Sequence, residues 1–315
     1  MKIEAQNKLK SKNRRLKKIK RKNVWDNIKV HQVMLQDKIR TLAYKKAIEN
    51  TVQCNDVVMD LGCGSGILSF FAVKKGCKKV YAIDSSDIID IAAETAKINR
   101  LDKSIVFIKR DIFSFIPKDK INVLVHEQIG SFLWDEDLVS KVAYVRDNLL
   151  QKDGLIIPFK IDLFLVPSSA LSSFNKSLLF WAKKPYGFDF RDFLQQARKK
   201  LKPQLVELKN TKTFLCKPKL AYSVDLRKEN KIPHKIAVSF ILQKDVILGG
   251  ICAYIKVHLD ETHFFSTKPS KRISHWGQIF LPFVGNGTIR RNSALHFTLY
   301  PKKKREEWKF KFELE

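Results

Sequence analysis

The chain has 315 residues, is 44% hydrophobic and carries a formal net charge of +28. This length and apolar content are enough for a large buried core, which excludes an intrinsically disordered protein. No apolar run approaches the roughly 18 residues that a membrane span needs, and we find no signal-peptide pattern. We therefore expect a soluble cytoplasmic protein without membrane contact, or a nuclear one if the source is eukaryotic.

The five cysteines form no CxxC pair and no zinc-like cluster with histidine, so we expect no metal site and a reducing compartment. The excess of 60 Lys and Arg over 32 Asp and Glu predicts attraction to nucleic acid or other anionic surfaces. A lysine bias of the source genome explains the same charge, and composition leaves both explanations open. Residues 1–23 contain eleven Lys or Arg, which is typical of a solvated flexible tail; nonspecific RNA or DNA contact is the alternative.

The first half of the chain alternates between helical and strand patterns. Apolar residues recur at helical spacing from Val30 to Ala47 and predict one amphipathic helix, with Asp37 and Arg40 on the same face. Short apolar segments follow at 56–61, 79–84, 104–109, 121–126 and 154–158. Since helical stretches separate these segments, they predict a parallel sheet covered on both faces. Residues 24–157 are therefore expected to form a doubly wound α/β domain.

Beyond Pro158 the pattern changes to many short strands without long helices between them, at 161–167, 235–242, 250–259, 278–284 and 295–301. Such strands predict an antiparallel barrel or sandwich, which we place at residues 158–315. Residues 173–201 carry a helical, aromatic-rich pattern instead. We expect an arm at about 172–205 that projects from the barrel.

A glycine-rich turn links the first predicted strand to the next helix, in the stretch VMDLGCGSGIL with Gly62, Gly64 and Gly66. Glycines let the backbone approach a ligand closely, and an acidic residue about 20 positions on, Asp84, can accept bonds from ribose hydroxyls. The spacing is GxGxG and not the GxGxxG that usually cradles a pyrophosphate. S-adenosylmethionine therefore fits better than NAD, because it has no diphosphate to hold. A purely structural turn is the alternative.

Two further segments carry polar residues in predicted loops, where side chains can face a ligand. HEQIGSFLWDE follows an apolar strand and holds Glu127 and Glu136, nine positions apart, and SHWGQ at 274–278 follows FSTKPS at 265–270. Together with HQVMLQDKIRTLAY at 31–44, PYGFD at 185–189 and the glycine turn, these segments resemble the protein arginine methyltransferases over roughly residues 25–300.

The resemblance implies a Rossmann-like class I methyltransferase domain, a β-barrel domain and a helical dimerisation arm, hence a homodimer. It implies methyl transfer from S-adenosylmethionine to arginine in a protein substrate. It assigns catalytic roles to Glu127, Glu136, His275 and Asp37 and substrate positioning to Trp276 and Met34. It assigns cofactor binding to His31, Arg40, Asp60, Gly62, Gly64, Gly66, Asp84 and Asp111. The paired carboxylates suit this chemistry because they can grip a planar guanidinium and aim one nitrogen.

The sequence also departs from the family. The N-terminal Tyr-Phe-x-x-Tyr segment is replaced by residues 21–25, where Trp25 is the single aromatic, and Gln128 and Ile129 replace a Trp-Met pair. A methyltransferase of another acceptor, such as RNA or a small amine, and a catalytically silent binding protein are the alternatives. Because a basic protein repels basic tails, we hypothesise that the substrate is presented on nucleic acid. The sequence does not distinguish monomethyl from dimethyl products.

Overall fold

The computed structural model of the chain describes residues 24–315 except 131, 132, 134, 171, 172, 273, 284, 286, 287 and 303–306. The basic tail at 1–23, for which we predict flexibility or RNA contact, lies outside the described residues. The helices are α1 (Ile28–Gln36), α2 (Lys38–Thr51), α3 (Ile67–Lys75), α4 (Ile88–Ile98), α5 (Leu138–Asn148), α6 (Ser173–Ala182) and α7 (Arg191–Lys199). Short 3₁₀ turns cover Val24–Asp26, Asp102–Ser104 and Ile112–Ser114, while Asp135–Asp137 and Pro185–Gly187 are turns that contain left-handed residues.

A five-stranded parallel sheet forms the first half of the molecule. Its strands are β1 (Val57–Leu61), β2 (Lys79–Asp84), β3 (Ile105–Lys109), β4 (Ile121–His126) and β5 (Leu150–Ile157), in the order β3-β2-β1-β4-β5. This confirms the doubly wound α/β prediction. Every residue of β1 is buried, as a strand covered on both faces requires. The strand order reverses between β1 and β4, and ligands of such sheets bind at the carboxyl ends of the strands at this point.

The helix predicted from Val30 to Ala47 is two helices, so the prediction of one continuous helix was wrong. The chain breaks at Asp37, whose ψ of 83° lies outside the helical region and which ends α1 and begins α2. The Asp37 side chain accepts a hydrogen bond from the backbone N–H of Arg40. Apolar periodicity continues across the break, but an aspartate that caps a helix N-terminus begins a new helix.

The second half is antiparallel, as predicted. Its strands are β6 (Lys160–Ser168), β7 (Gln204–Val206), β8 (Lys219–Asp225), β9 (Ile236–Ile241), β10 (Gly250–His258), β11 (Phe264–Ser266), β12 (Gln278–Pro282), β13 (Ala294–Tyr300) and β14 (Lys309–Leu314). The ladders of the described residues form a six-stranded sheet around β10 and β6 and a three-stranded sheet, β14-β13-β9. The long register of β6 with β10 runs over nine residue pairs and anchors the larger sheet.

The predicted arm is the pair α6 and α7, inserted between β6 and β7. Its helices pack through aromatic rings: Trp181 stacks on Phe193 at 5.2 Å and contacts Phe190 at 5.5 Å. Buried apolar residues of the parallel sheet and of the antiparallel sheets belong to one continuous core. In the part of the chain that the structure describes, no helix combines the length and apolarity needed to cross a membrane.

Candidate active site

A cavity of about 830 Å³ opens at the carboxyl ends of the parallel strands, at the point where the strand order reverses. Loops after β1, β2, β3 and β4 form its floor, α1 covers it and the loop after β11 closes one side. The predicted site residues that line it are His31, Met34, Gly62, Gly64, Asp84, Asp111, Glu127, Glu136, His275 and Trp276. Four other predicted residues, Asp37, Arg40, Asp60 and Gly66, do not line it.

The glycine turn follows β1 and is held to the end of β2. Gly62 and Gly64 have φ of 72° and 50°, which favours glycine, and the backbone N–H of Gly64 donates to Asp84 at 2.9 Å. The other carboxylate oxygen of Asp84 accepts bonds from the N–H and hydroxyl of Ser86 at 2.8 and 2.6 Å. A Cβ on Gly62 would lie 2.5 Å from the Gln128 amide nitrogen, so a larger residue there would be strained and would displace the Gln128 side chain.

Asp60 lies beneath the glycine turn, where it is fully buried. One of its oxygens accepts bonds from the N–H and hydroxyl of Ser69 in α3, at 2.9 and 2.7 Å. Burial raises the pKa of Asp60 to about 7 despite these bonds. Among the described residues, its other oxygen has no hydrogen-bond partner. Gly66 likewise supports the turn, because it begins α3 in the left-handed region with φ of 80°.

Glu127 directly follows β4 and projects into the cavity. Its carboxylate accepts a bond of 2.6 Å from the Arg40 guanidinium, which also donates to the carbonyl of Met34 at 2.8 Å. Burial raises the pKa of Glu127 above its usual value, and the Arg40 charge opposes that shift. Arg40, for which the resemblance predicts cofactor binding, is therefore placed to orient Glu127; the cofactor role stays a prediction.

Glu136 reaches the cavity from an irregular loop. Glu136 and the next residue, Asp137, have φ of 64° and 59°, and Leu133 before them has φ of 52°. Three non-glycine residues in the left-handed region store backbone strain, which surrounding packing must hold; Leu133 is fully buried. Trp134 and residues 131 and 132 lie outside the described residues. The loop thus brings the second carboxylate to the same cavity as the first.

His275 is tied to the break between α1 and α2. Its Nδ1 lies 2.8 Å from an oxygen of Asp37, which also accepts bonds from the Ser274 hydroxyl at 2.6 Å and the His275 N–H at 3.0 Å. Burial alone would raise the pKa of Asp37, but the bonds from His275, Ser274 and the Arg40 N–H hold it well below its usual range. Since an ionised carboxylate only accepts hydrogen bonds, Nδ1 carries the proton, and Nε2 of the neutral ring is an acceptor.

The remaining predicted residues form the roof and the rim. His31 on α1 is buried, bonds through Nε2 to the carbonyl of Trp25 at 2.7 Å, and lies over Gly64. Trp276 is buried against Phe265 in a stacked arrangement at 5.3 Å. Met34 joins His31 on α1 in lining the cavity. Asp111 also lines it, while its carboxylate accepts the N–H of Phe113 and caps the turn after β3.

Sequence reasoning missed three cationic side chains and one amide that line the cavity: Lys29, Arg110, Lys141 and Gln128. Among the described residues, the Gln128 carbonyl oxygen is buried without a hydrogen-bond partner. The sequence could have indicated Gln128 only by its position, because it follows Glu127 directly after a buried strand. Lys141 lies on α5, and its approach to the cavity depends on the irregular loop before that helix, which no periodicity predicts.

Comparisons with known proteins decide the family. Residues 162–315 match the family model described as the arginine methyltransferase oligomerization subdomain, and residues 41–143 match that for ribosomal protein L11 methyltransferase. Protein arginine N-methyltransferase 1 of Oryza sativa subsp. indica is 30% identical over 290 residues, covering 89% of this chain and 74% of the relative. The chain belongs to the protein arginine N-methyltransferase family. Protein arginine N-methyltransferase 1 of Dictyostelium discoideum is 29% identical over 283 residues, covering 87% and 82%.

Solved structures of this family share the fold. The Trypanosoma brucei PRMT1 enzyme-prozyme heterotetrameric complex with AdoHcy has a TM-score of 0.81 at 21% identity, covering 93% of this chain and 94% of that one. Arabidopsis thaliana protein arginine methyltransferase 10 has a TM-score of 0.78 at 20% identity, covering 92% and 93%. The predicted fold class and the predicted family are therefore both confirmed.

Proposed function

We propose that this family member transfers a methyl group from S-adenosylmethionine to the guanidinium of arginine residues in proteins. The observation that carries the proposal is the convergence on one cavity of Glu127, Glu136 and His275 with the glycine turn and Asp84. Family membership supports the same reaction, because the relatives are named protein arginine N-methyltransferases.

The cavity fits the cofactor in three respects. Its volume of about 830 Å³ is in the range of small-molecule sites. Gly62 and Gly64 line it with backbone and no side chain, and Asp84 offers carboxylate oxygens beside them to the ribose hydroxyls. The unpartnered carbonyl oxygen of Gln128 is an acceptor for the cofactor's ammonium group. When bound, the cofactor supplies a methyl group on a positively charged sulfur.

Glu127 and Glu136 would hold the substrate guanidinium. Two carboxylates on one planar cation fix its orientation and draw its positive charge away from the nitrogen that attacks. The Arg40 guanidinium on one oxygen of Glu127 holds that carboxylate in place. Because burial raises the pKa of Glu127, a second cation at this carboxylate also favours its ionised form.

His275 would take the proton that the attacking nitrogen releases when its bond to carbon forms. With Nδ1–H donated to Asp37 at 2.8 Å, Nε2 is the available acceptor, and the ring cannot turn without breaking that bond. Trp276 and Met34 would pack against the substrate side chain and restrict its position. Most of the acceleration would therefore come from positioning and fixed charge.

The decisive experiment incubates the protein with methyl-labelled cofactor and a library of arginine-bearing peptides, and reads products by mass spectrometry. We expect methylarginine in peptides, and the same spectra separate monomethyl from dimethyl products. Calorimetric titration with S-adenosylmethionine runs alongside. If S-adenosylmethionine does not bind, the remaining interpretation is a catalytically silent binding protein. Binding without peptide methylation, with label in RNA or small amines, would favour the other acceptors.

We further propose a homodimer formed through the arm. Its exposed aromatic residues support this, since Tyr186 is 93% and Phe188 68% exposed, and the matched family model describes an oligomerization subdomain. Light scattering at micromolar concentration should give the mass of a dimer, and Tyr186→Ser with Phe188→Ser should shift it toward the monomer. A monomer in the unmodified protein would contradict the proposal.

We propose a cytoplasmic location, or a nuclear one if the source is eukaryotic. The basic tail at residues 1–23 has a proposed role of its own. We propose that residues 1–23 bind RNA nonspecifically and bring the enzyme to nucleic-acid-associated substrates, because eleven of these residues are Lys or Arg. Deleting residues 1–22 should weaken RNA binding and reduce its dependence on salt. Unchanged RNA affinity would remove this proposal and leave the substrate interaction to other surfaces.

A further inference from the structure

A second depression, of about 590 Å³, lies between α2 and the loop that leads to His275. We call it the basic groove and define it by the residues Lys38, Ile39, Leu42, Lys46, Phe264 and Arg272. Lys38, Leu42 and Lys46 are four positions apart and share one face of α2. The opposite face of the same helix is buried in the core through Tyr44 and Ile48.

The rim of the groove carries uncompensated positive charge. In the described part of the chain, none of Lys38, Lys46 and Arg272 forms an ion pair with a carboxylate, whereas the neighbouring Lys45 pairs with Glu49 at 3.7 Å. The two acidic residues of the turn between β10 and β11 have other partners: Asp260 bonds to His263 at 2.8 Å and Glu261 pairs with Arg227 at 3.8 Å. The groove therefore favours an anionic ligand.

The floor of the groove is apolar and exposed: Leu42 is 52% and Phe264 54% exposed. Lys256 lies 3.9 Å from the centre of the Phe264 ring, so a cation covers one of its two faces and leaves a single face for a nucleobase to stack on. Apolar side chains can still pack on Leu42 and the ring edge. An acidic peptide with apolar residues fits this combination better than a nucleic acid does.

The groove adjoins the candidate active site. Lys38 follows Asp37, which holds His275, and Arg272 precedes Ser274 by two positions. Along α2, the eight positions from Lys38 to Lys46 span about 12 Å at about 1.5 Å per residue. An extended peptide covers that distance with about four residues. The groove is therefore long enough for about four residues of a peptide, and its Lys38 end is next in the chain to Asp37.

We propose that the basic groove binds acidic and apolar residues that flank the target arginine, so that preferred substrates carry Asp or Glu near the arginine. This inference rests on the proposed methyl transfer. It offers a way for a protein of net charge +28 to recruit a peptide substrate, because a glycine-arginine tail would meet repulsion and an acidic flank would meet attraction.

The test compares two peptides with one arginine each, one flanked by Glu and Leu and the other by Ser and Gly. Each is assayed with the unmodified protein, with Lys46→Glu and Arg272→Glu, and with Lys45→Glu as the matched control. Lys45 neighbours Lys46 and has the same charge, but it does not line the groove. We expect the preference for the acidic peptide in kcat/KM to fall about fivefold in each groove variant and less than about twofold in the control.

A binding measurement separates this inference from the proposed reaction. Fluorescence anisotropy of the acidic peptide with its arginine replaced by alanine reports the groove without methyl transfer, and affinity should fall in Lys46→Glu. If no peptide is methylated but this binding falls, the reaction proposal fails and the groove stands. The groove inference is overturned if the two peptides are used equally, if Lys45→Glu acts as strongly as Lys46→Glu, or if Lys46→Glu weakens only oligonucleotide binding.

Discussion

The two walls of the cavity are built in different ways. The wall after β1 and β2 is regular: the N–H groups of Gly62 and Cys63 donate to the carbonyl of Ile83 at 2.8 and 3.0 Å, and Asp84 accepts three hydrogen bonds. The wall after β4 is irregular. It has non-glycine residues in the left-handed region at 133, 136 and 137, and a carboxyl group with a raised pKa at Glu127.

This difference separates ligand holding from chemistry. A wall whose loop is held by hydrogen bonds to backbone and short side chains is fixed before any ligand arrives, and it suits a cofactor that many enzymes share. Left-handed backbone in non-glycine residues costs stability, so proteins keep it where reactivity needs it. We therefore expect substitutions in the first wall to change affinity for the cofactor, and substitutions in the second wall to change the rate of transfer.

The largest effect should come from the irregular wall. Glu127→Gln keeps the shape of the side chain and an acceptor for Arg40 but removes the charge that holds the substrate cation. We expect the rate of methyl transfer to fall by about 10²–10³, in the range for losing one electrostatic contact to the transition state. Glu136→Gln should act in the same direction. Single-turnover transfer of labelled methyl measures the rate, and calorimetry should show affinity for S-adenosylhomocysteine changed by less than about twofold.

Glu94→Gln is the matched control for this charge, because Glu94 is exposed on α4 and pairs only with Lys97 among the described residues. It should leave the rate unchanged. Retained turnover in both Glu127→Gln and Glu136→Gln would contradict the clamp. A large loss of cofactor affinity in either variant would instead contradict the division between the two walls.

The regular wall should respond in affinity. Asp84→Ala removes the carboxylate proposed to hold the ribose and also frees the N–H of Gly64. Charge-assisted hydrogen bonds contribute about 1.5–3 kcal/mol, so S-adenosylhomocysteine should bind about 10–100-fold more weakly. Calorimetry measures this directly. Asp111→Ala offers the comparison within one cavity, since Asp111 also lines it but, among the described residues, accepts no hydrogen bond from the glycine turn. An equal loss of affinity in both variants would contradict a specific role of Asp84 in holding the ribose.

Asp37 links the two halves of the molecule through its bonds to Ser274 and His275, so its substitution should lower the free energy of unfolding. Asp37→Ala removes the cap of α2 and the acceptor of Ser274 and His275, at a cost of about 1–3 kcal/mol at pH 7. The folded pKa of Asp37 lies below its unfolded value, so its contribution is fully present above the unfolded pKa of about 3.9 and declines only as pH falls below it. Urea unfolding of both proteins should give the same difference at pH 7 and pH 5. A difference that shrinks already between these values would refute the ionised, bonded Asp37.

The sequence predicted what depends on periodicity and on local motifs. The strands of the parallel sheet come from continuous apolar runs, and Gly62 and Gly64 were expected to approach a ligand because glycine lets the backbone come close to it. The break at Asp37 could not be read from the same pattern. Apolar spacing continues through it, and the buried aspartate accepts hydrogen bonds from Ser274 and His275, more than 230 positions away.

The contact between Arg40 and Glu127 illustrates a second limit. A buried guanidinium and a buried carboxylate can each serve a ligand or each other, and the sequence gives no measure of the distance between residues 87 positions apart. The left-handed backbone at Glu136 and Asp137 is equally hidden, since neither residue type requires it. Side chains brought together by loops are set by tertiary packing, whereas side chains at strand ends are set by the order of the strands.

The last comparison, which concerns a pH dependence and leaves catalysis aside, is that of Asp60 beneath the regular wall. Its folded pKa of about 7 lies above the unfolded value, so the stability it contributes is present below about pH 3.9 and is lost as pH rises through 7. Asp60→Asn cannot ionise. Relative to this variant, the unmodified protein should lose about 2 kcal/mol between pH 5 and pH 7, measured by urea unfolding.

Asp37 provides the contrast in the same pH window, because its carboxyl is ionised throughout and its variant should show a constant difference. The pKa shifts of these two buried carboxyl groups thus have opposite signs. The hydrogen bonds to Asp37 lower its pKa by more than burial raises it, whereas the bonds from Ser69 to Asp60 do not offset burial. A flat pH profile for Asp60→Asn would mean that Asp60 is ionised at pH 5 in the folded protein. The regular wall would then hold a full negative charge beneath Gly62, and its attraction for a cationic cofactor would come from Asp60 as well as from Asp84.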